Sequence, residues 1–570
     1  MDPGERGRTF ALGLEELRRL AFDPFILERW LGVRVDDRPR GTAGVTDAVG
    51  TVWPGFVRVP SSGGMLCVCL GSPGPDRGLA PADFRVTVST AEAGRSCVRV
   101  TADDPSDCRL DLLWEPALGR LDALVTSELR RRDEPAQAVV IIHGIGEQRP
   151  GQTLEAFVRA VTREATGQRW SSQDRLAPTL ELRRLTLSQV ASRPRTTFYE
   201  YYWAHEVNDT NIGDVLSWVW SIMGRSPTSI PRRLLATWFV FWGLVVAGLS
   251  TTASIGASLE SLAFLSGVAS AVLGVVATQV IRVLGDAARY LSARPRNVAI
   301  RHAIRQGGIE LLRELHRCGR YDRIVLVGHS LGSVVAYDII THLWPTMNRE
   351  HLRPEKPRFT ELAAAHALAS DRTAGSVQNA VWREMRRNTL PWLVSDLVTL
   401  GSPLAHAHLL LEHDAEAFSD KQSQGAYPSA PPTRKNRGDR FSFNQTYTTR
   451  GGRSGSFTFL DESAPFAAVR WHNLYFPAPG GIFGDLVGGP LAPVFGEWVA
   501  DVAVTSEDSW WRRRTLLAHT SYWRVPRRKA AGPGPHDHLR ALADALQLDQ
   551  RQRLQTELAK HDPLIHVERP

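Results

Sequence analysis

The chain has 570 residues, 43% of them hydrophobic, and carries 68 Lys+Arg against 60 Asp+Glu for a net charge of +8. That length is too great for one ordinary domain and predicts two to three folding units. The positive charge is almost all arginine, is scattered along the chain and accompanies no nucleic-acid motif, so no nucleic-acid partner is expected. The arginine bias itself points to a GC-rich, bacterial genome. Five cysteines, Cys67, Cys69, Cys97, Cys108 and Cys318, are an odd and dispersed set, which argues against a disulfide framework. Cys67-Val68-Cys69 is too tightly spaced for the usual zinc pair, and free thiols in a reducing compartment are expected. The N-terminus MDPGERGRTF lacks the basic-then-apolar pattern of a signal peptide, so the main domain is expected in the cytosol.

In chain order, Leu14–Leu31 reads as an amphipathic helix interrupted near Asp23-Pro24. Short β-type runs follow at Met65–Leu70, Phe84–Ser89, Cys97–Thr101 and Leu110–Trp114, separated by Gly, Pro and Asp. They fit either a small β-rich domain or extra strands of the main sheet. Ala138–Ile142 (AVVII) reads as a buried strand that ends in His143-Gly144-Ile145-Gly146, with a helix near Thr153–Thr166. This loop lacks the third glycine of a dinucleotide fingerprint and the Gly-Lys-Ser/Thr of a P-loop. Further strands are expected at Thr179–Leu187 and Thr197–Trp203.

Leu234–Leu249 and Leu262–Ile281 are apolar stretches near the length needed to span a hydrocarbon core. Arg232 and Arg233 precede the first, Arg282 and Arg289 follow the second, and no basic residue lies between them. The positive-inside tendency makes this pair a membrane hairpin with both ends cytoplasmic; the rival reading is a pair of buried helices. Ala299–His316 then reads as a helix, Leu393–Leu400 as a strand ending in Gly401-Ser402-Pro403-Leu404, and Asp420–Gly455 as a polar loop. That loop is either a lid, a substrate-contact element or plain surface. Ser456–Leu460 and Val499–Val504 read as strands, and Leu539–Leu558 as an amphipathic helix.

The densest chemical signal lies at Arg320–Ile340, RYDRIVLVGHSLGSVVAYDII. A β-branched run, Ile324–Val327, turns through Gly328-His329-Ser330-Leu331-Gly332 into a helical pattern. Strand, G-x-S-x-G and helix together describe an exposed serine on a strained turn, whose flanking positions leave no room for side chains. Ser330 is therefore the candidate nucleophile. A serine needs a base, and the base an orienting carboxylate. His519 follows a strand and sits among aromatics in HTSYW, whereas His536, His538, His561 and His566 lie in a linker or tail. Asp485, in a glycine-rich loop after Trp471-His472-Asn473-Leu474-Tyr475, is the candidate acid. Asp414, Asp461 and Asp508 read as solvated charges. His406, His408 and His413 have no recognised metal spacing.

With HGIGEQ at His143–Gln148, GHSLGSVVAYD at Gly328–Asp338, TLGSPL at Thr399–Leu404, WHNLYFPAPGGIFGD at Trp471–Asp485 and HTSYW at His519–Trp523, the chain resembles the lipase/serine-esterase branch of the α/β-hydrolase superfamily. The resemblance implies Ser330 as nucleophile, His519 as base and then acid, and Asp485 as its partner. It also implies an oxyanion hole at Gly144, Ile145 and Leu331, on an elbow formed by Gly328, His329 and Gly332. The expected fold class is α/β: a mostly parallel sheet flanked by helices, with an inserted two-helix transmembrane hairpin and an N-terminal β-rich region. The expected divisions are 1–130, 131–230, 231–290, 291–525 and 526–570. The expected function is a membrane-anchored serine hydrolase of carboxylic esters, lipids above all. Its partners are then the ester substrate and the bilayer, its location the bacterial inner membrane with the catalytic part cytoplasmic, and no cofactor or metal is called for. The alternatives are a membrane-bound binding or scaffolding module on the same fold, and an amidase or thioesterase using the same three residues.

Overall fold

In the computed structural model the chain divides into two compact units, Met1–Glu134 and Pro135–His561. The structure describes residues 5–10, 43–46, 52–58, 65–70, 82–133, 135–144, 151–162, 169–206, 224–230, 295–350, 374–432, 442–506, 509–525 and 537–552, with short gaps inside these ranges and scattered positions between them.

The first unit is built on six antiparallel strands: β1 (Glu5–Phe10), β2 (Ala43–Thr46), β3 (Val52–Arg58), β4 (Met65–Leu70), β5 (Ala82–Thr90) and β6 (Ser96–Ala102), in the order β1-β6-β5-β4-β3-β2. Alternation along β5 buries Phe84, Val86 and Val88 on one face, as expected for a sheet covered on one side. Leu110–Trp114, expected as a strand, is instead a π-helical turn that leads into the helix Glu115–Asp133. Its buried residues explain the difference: Leu110, Leu113 and Trp114 fall at i, i+3 and i+4, which is a helical face. Trp30, Phe84 and Trp114 pack together at the centre of this unit's core.

The second unit carries an eight-stranded mixed sheet. Its strands are β7 (Ala136–Ile142), β8 (Arg169–Asp174), β9 (Leu182–Leu187), β10 (Arg195–Tyr201), β11 (Arg323–His329), β12 (Val394–Leu400), β15 (Arg470–Tyr475) and β16 (Val499–Ala503), in the order β16-β15-β12-β11-β7-β10-β9-β8. From β16 to β10 all neighbours are parallel, and β9 and β8 continue the sheet antiparallel. Every residue of β7, β11 and β12 is buried, which accounts for their near-continuous apolar composition. Helices Gln152–Val161 and His538–Ala545 contribute Leu154, Phe157, Val158 and Leu542 to a core shared with Val139, Val325 and Val398. Leu331–Glu350 packs on β7, β11 and β12. Gly328 stands opposite both Ile142 of β7 and Thr399 of β12, so the carboxyl ends of the three central strands are level. At the other end of the strands lies a buried charge cluster. Arg470 forks onto both oxygens of Asp396 at 2.8 and 3.0 Å, and Arg323 bonds Gln137 and Gln547 while lying 3.7 Å from Asp396.

Two expectations need correction. Among the described residues no helix is long and apolar enough to cross a membrane. The inserted two-helix transmembrane hairpin, and the multi-pass inner-membrane localisation that rested on it, are therefore withdrawn. Residues 262–281 lie outside the described residues. In the first stretch Leu235 and Trp238 are half-buried against Ile230 and Leu409, whereas Phe239 and Val246 are exposed. Apolar length alone does not separate a spanning helix from one that covers a protein core. The polar segment 420–455, expected as loop, contains the end of the helix Ala415–Ser423 and the strand β13 (Ser442–Thr448), which pairs antiparallel with β14 (Ser454–Leu460). The polar composition of SFNQTYT hides its strand character, because a two-stranded ribbon needs no apolar face to form its ladder.

Candidate active site

Ser330 ends the turn after β11 with φ +53°, a left-handed conformation that a non-glycine residue rarely adopts. The glycines around it are sterically required. A Cβ on Gly328 would stand 2.4 Å from Ser333 Cα, and one on Gly332 would stand 2.2 Å from the Ile142 carbonyl oxygen. Strand β7 and the elbow helix thus meet at backbone distance. The Ser330 N–H donates to the Leu400 carbonyl at 2.9 Å, and Ser333 Oγ donates to the Ser330 carbonyl while lying 2.6 Å from Ser402 Oγ. The TLGSPL segment after β12 is therefore part of what holds the elbow.

Asp485 lies in the loop after β15, and His519 lies in the short 3-10 turn Leu516–Thr520 that follows β16. The fold brings both to Ser330. His519 Nε2 is 2.8 Å from Ser330 Oγ, and His519 Nδ1 is 3.0 and 3.1 Å from the two oxygens of Asp485. All three side chains are buried, Asp485 completely. Burial pushes the Asp485 carboxyl up, but the His519 charge and hydrogen bonds from His519, the Gly488 N–H and Tyr522 overcome this and hold it at about 2. The carboxylate is thus ionised at neutral pH, fixes the imidazole with its proton on Nδ1, and leaves the Nε2 lone pair for the serine proton.

His143 and Gly144 follow β7, and Gly144 faces the serine. A Cβ on Gly144 would lie 2.8 Å from Ser330 Cβ, so only glycine lets this loop approach the nucleophile. His143 stacks on Trp203 at 5.2 Å, accepts the Trp203 indole N–H on its carbonyl at 3.0 Å, and donates from Nδ1 to the Gly144 carbonyl at 2.7 Å. Burial lowers its pKa to about 4, so the ring is neutral and serves as a brace. Leu331 opens the elbow helix, where unsatisfied N–H groups favour an anionic oxygen. Ile145, expected to supply the second oxyanion donor, lies outside the described residues.

His329 belongs to the elbow motif and gains a further role. Its Nε2 donates to the His519 carbonyl at 2.9 Å, and its ring packs against His519, Tyr522 and Trp523. Burial first, then the charge of His519, lowers its pKa to about 3, so it too is neutral. Tyr522, which sequence reasoning did not assign, donates to Asp485 Oδ2 at 2.7 Å. Its signal was its place three residues after His519 in HTSYW.

Of the rejected acids, Asp414 caps the helix Ala415–Ser423 and Asp508 lies outside the described residues. Asp461 is buried on Ser463 rather than solvated. His538 opens a helix and bonds the Arg524 carbonyl, whereas His536, His561 and His566 lie outside the described residues. His406 donates to the Leu486 carbonyl beside Asp485. No group of metal-ligating side chains is found among the described residues.

No known family model matches the chain, and no curated protein does. Among solved structures, protein MLL2253 from Mesorhizobium loti is 14% identical over 21% of this chain and 96% of its own, with a TM-score of 0.18. Protein CV1439 from Chromobacterium violaceum is 22% identical over 22% of this chain and 97% of its own, at 0.16. The di-domain ARO/CYC StfQ from the steffimycin biosynthetic pathway is 12% identical over 34% of this chain and 68% of its own, at 0.19. At such TM-scores these likenesses carry no argument about fold or activity.

Proposed function

We propose that the second unit is a serine hydrolase of the α/β-hydrolase type, lipase/serine-esterase-like, that cleaves carboxylic esters through an acyl-enzyme. The observation that carries the reading is the line of contacts from Ser330 Oγ through His519 to Asp485, 2.8 and 3.0 Å long, at a strained elbow. In the first half-reaction Ser330 Oγ attacks the acyl carbonyl carbon as its proton passes to His519 Nε2. The oxygen that becomes negative is met by the Leu331 N–H and the loop at Gly144. Collapse breaks the ester bond, and the leaving alkoxide takes the proton from His519. Water then attacks the acyl carbon, gives a proton to His519, and the acid leaves as Ser330 recovers it. Asp485 stays ionised throughout and stabilises the imidazolium.

The lipid part of the expectation drew on the hairpin, so the proposal is confined to carboxylic esters, with lipid esters one arm of the substrate panel. The test is labelling by a fluorophosphonate probe. Wild type should label, Ser330→Ala should not, and His519→Ala should label far more slowly. Unlabelled but folded wild type would turn the reading to a non-catalytic binding module on the same fold. Ester, amide and thioester substrates of one acyl group then separate esterase from amidase and thioesterase.

A further inference from the structure

We propose that Tyr522 is a positioning residue for this centre: its O–H, held on Asp485 Oδ2, sets how much of the carboxylate's charge reaches His519. The inference rests on the hydrolase reading and adds to it a residue that touches neither the serine nor the base's nitrogens. The two oxygens of Asp485 are held differently. Oδ1 accepts the N–H groups of Val487 and Gly488 at 2.9 and 3.0 Å, whereas Oδ2 accepts the Tyr522 hydroxyl at 2.7 Å. Side chains are kept away from Oδ2 by two glycines. A Cβ at Gly401 would stand 2.9 Å from it, and one at Gly488 2.8 Å. A Cβ at Gly401 would also stand 2.6 Å from Tyr522 Cε2, so the phenol and the carboxylate are pressed together over a backbone without side chains.

The phenol has little freedom to point elsewhere. Its oxygen accepts the Phe476 N–H at 3.1 Å, its ring packs 4.6 Å from Phe476 and 5.7 Å from His329, and it is buried. With that acceptor position filled, its single proton goes to Asp485. Burial, then the Asp485 charge, raises the Tyr522 pKa well above its ordinary value, so the proton stays in place through the working range. The other titratable groups facing His519 are Ser330, Asp485 and His329, with His143 farther off, and both of these histidines are neutral. A hydroxyl donor spreads the negative charge of the carboxylate and weakens its hold on an imidazolium. Removing the donor concentrates that charge on His519, which then keeps its extra proton to higher pH and is a competent base over a narrower range.

The experiment uses the full chain and measures the rate constant of fluorophosphonate labelling across pH. The proteins are wild type, Ser330→Ala, Tyr522→Phe, and a chain with a fluorinated, more acidic tyrosine installed at 522. Tyr522→Phe should move the acid limb up by about half a unit or more, because one hydrogen bond to a charged group is lost. The fluorinated tyrosine, a stronger donor of the same shape, should move the acid limb down. A purely structural role would lower the plateau and leave the limb in place. If the two acid limbs superpose on that of wild type, or both move the same way, the proposal is overturned. If Tyr522→Phe does not fold, the fluorinated chain alone decides by its direction. Unlabelled wild type, or labelling that survives in Ser330→Ala, overturns the hydrolase reading and this one with it. A wild type labelled only at Ser330, with unmoved limbs in the variants, overturns this one alone.

Discussion

Ser330 is held where its own backbone is strained, and the cost is met by the packing around it. The left-handed φ, the Leu400 carbonyl on its N–H and the two glycines make one geometry in which Oγ points at His519. Gly332→Ala places a methyl 2.2 Å from the Ile142 carbonyl oxygen, so it is expected to lower the unfolding midpoint and to abolish probe labelling. Asp485→Asn keeps the shape but presents an amide to His519 Nδ1, which stabilises the wrong tautomer. Labelling should slow by about a thousandfold or more, and the melting temperature at neutral pH should fall, because the stability that the ionised carboxylate contributes goes with it. The pH dependence follows from the depressed Asp485 carboxyl. Its contribution to stability is complete above the ordinary carboxylate value of 3.8 and is lost as pH falls through about 2. In Asp485→Asn this segment of the acid-unfolding curve should be absent.

At the scale of the elements, the parallel strands have opposite ends with opposite tasks. Their carboxyl ends deliver Gly144, Ser330, Gly401 and Asp485 to one place, which is where an open parallel sheet can bind ligands. Their amino ends are tied by Arg323, Asp396 and Arg470, charges sealed from water. Burial raises the Asp396 carboxyl, and the charges of Arg470 and Arg323 bring it down to about 2. Removing one partner strands the others in a low-dielectric core. Asp396→Ala should therefore cost about 3–5 kcal/mol in denaturant unfolding. The labelling rate of the protein that remains folded should match wild type, because the cluster touches none of the three site residues. A rate that fell in step with stability would show the two ends of the sheet to be coupled.

Among the described residues each unit has a core of its own. Trp30, Phe84 and Trp114 belong to the first unit, and Val139, Val325, Val398 and their helix partners belong to the second. Trp114→Ala should destabilise the first unit by about 3–5 kcal/mol, seen as a lowered first transition in a thermal scan. Labelling at Ser330 should stay at the wild-type rate at temperatures below that transition. A joint shift of both transitions would mean that the units unfold as one.

The elbow was legible in the residues alone because its constraint is local. A serine between two glycines, after a β-branched run and before a helical one, can be packed in few ways, and the chemistry then dictates an acid and a histidine further along the chain. Asp485 and His519 could be picked from many candidates by that order and by their places after strands. What the sequence could not carry were bonds between distant segments with no periodic trace. The Tyr522 hydroxyl on Asp485, 37 residues apart, and the His329 ring on the His519 carbonyl, 190 apart, exist only once three loops converge. The same limit misplaced the apolar stretch at 234–249. Hydropathy records that a segment is apolar, but not what each residue meets: Leu235 and Trp238 pack on Ile230 and Leu409, whereas Phe239 and Val246 are exposed. Sequence alone singled out Ser330 and the turn it stands on; tertiary structure decided what holds Asp485 and His519 beside it, because hydrogen bonds and burial are properties of the converged chain and not of any one stretch of it.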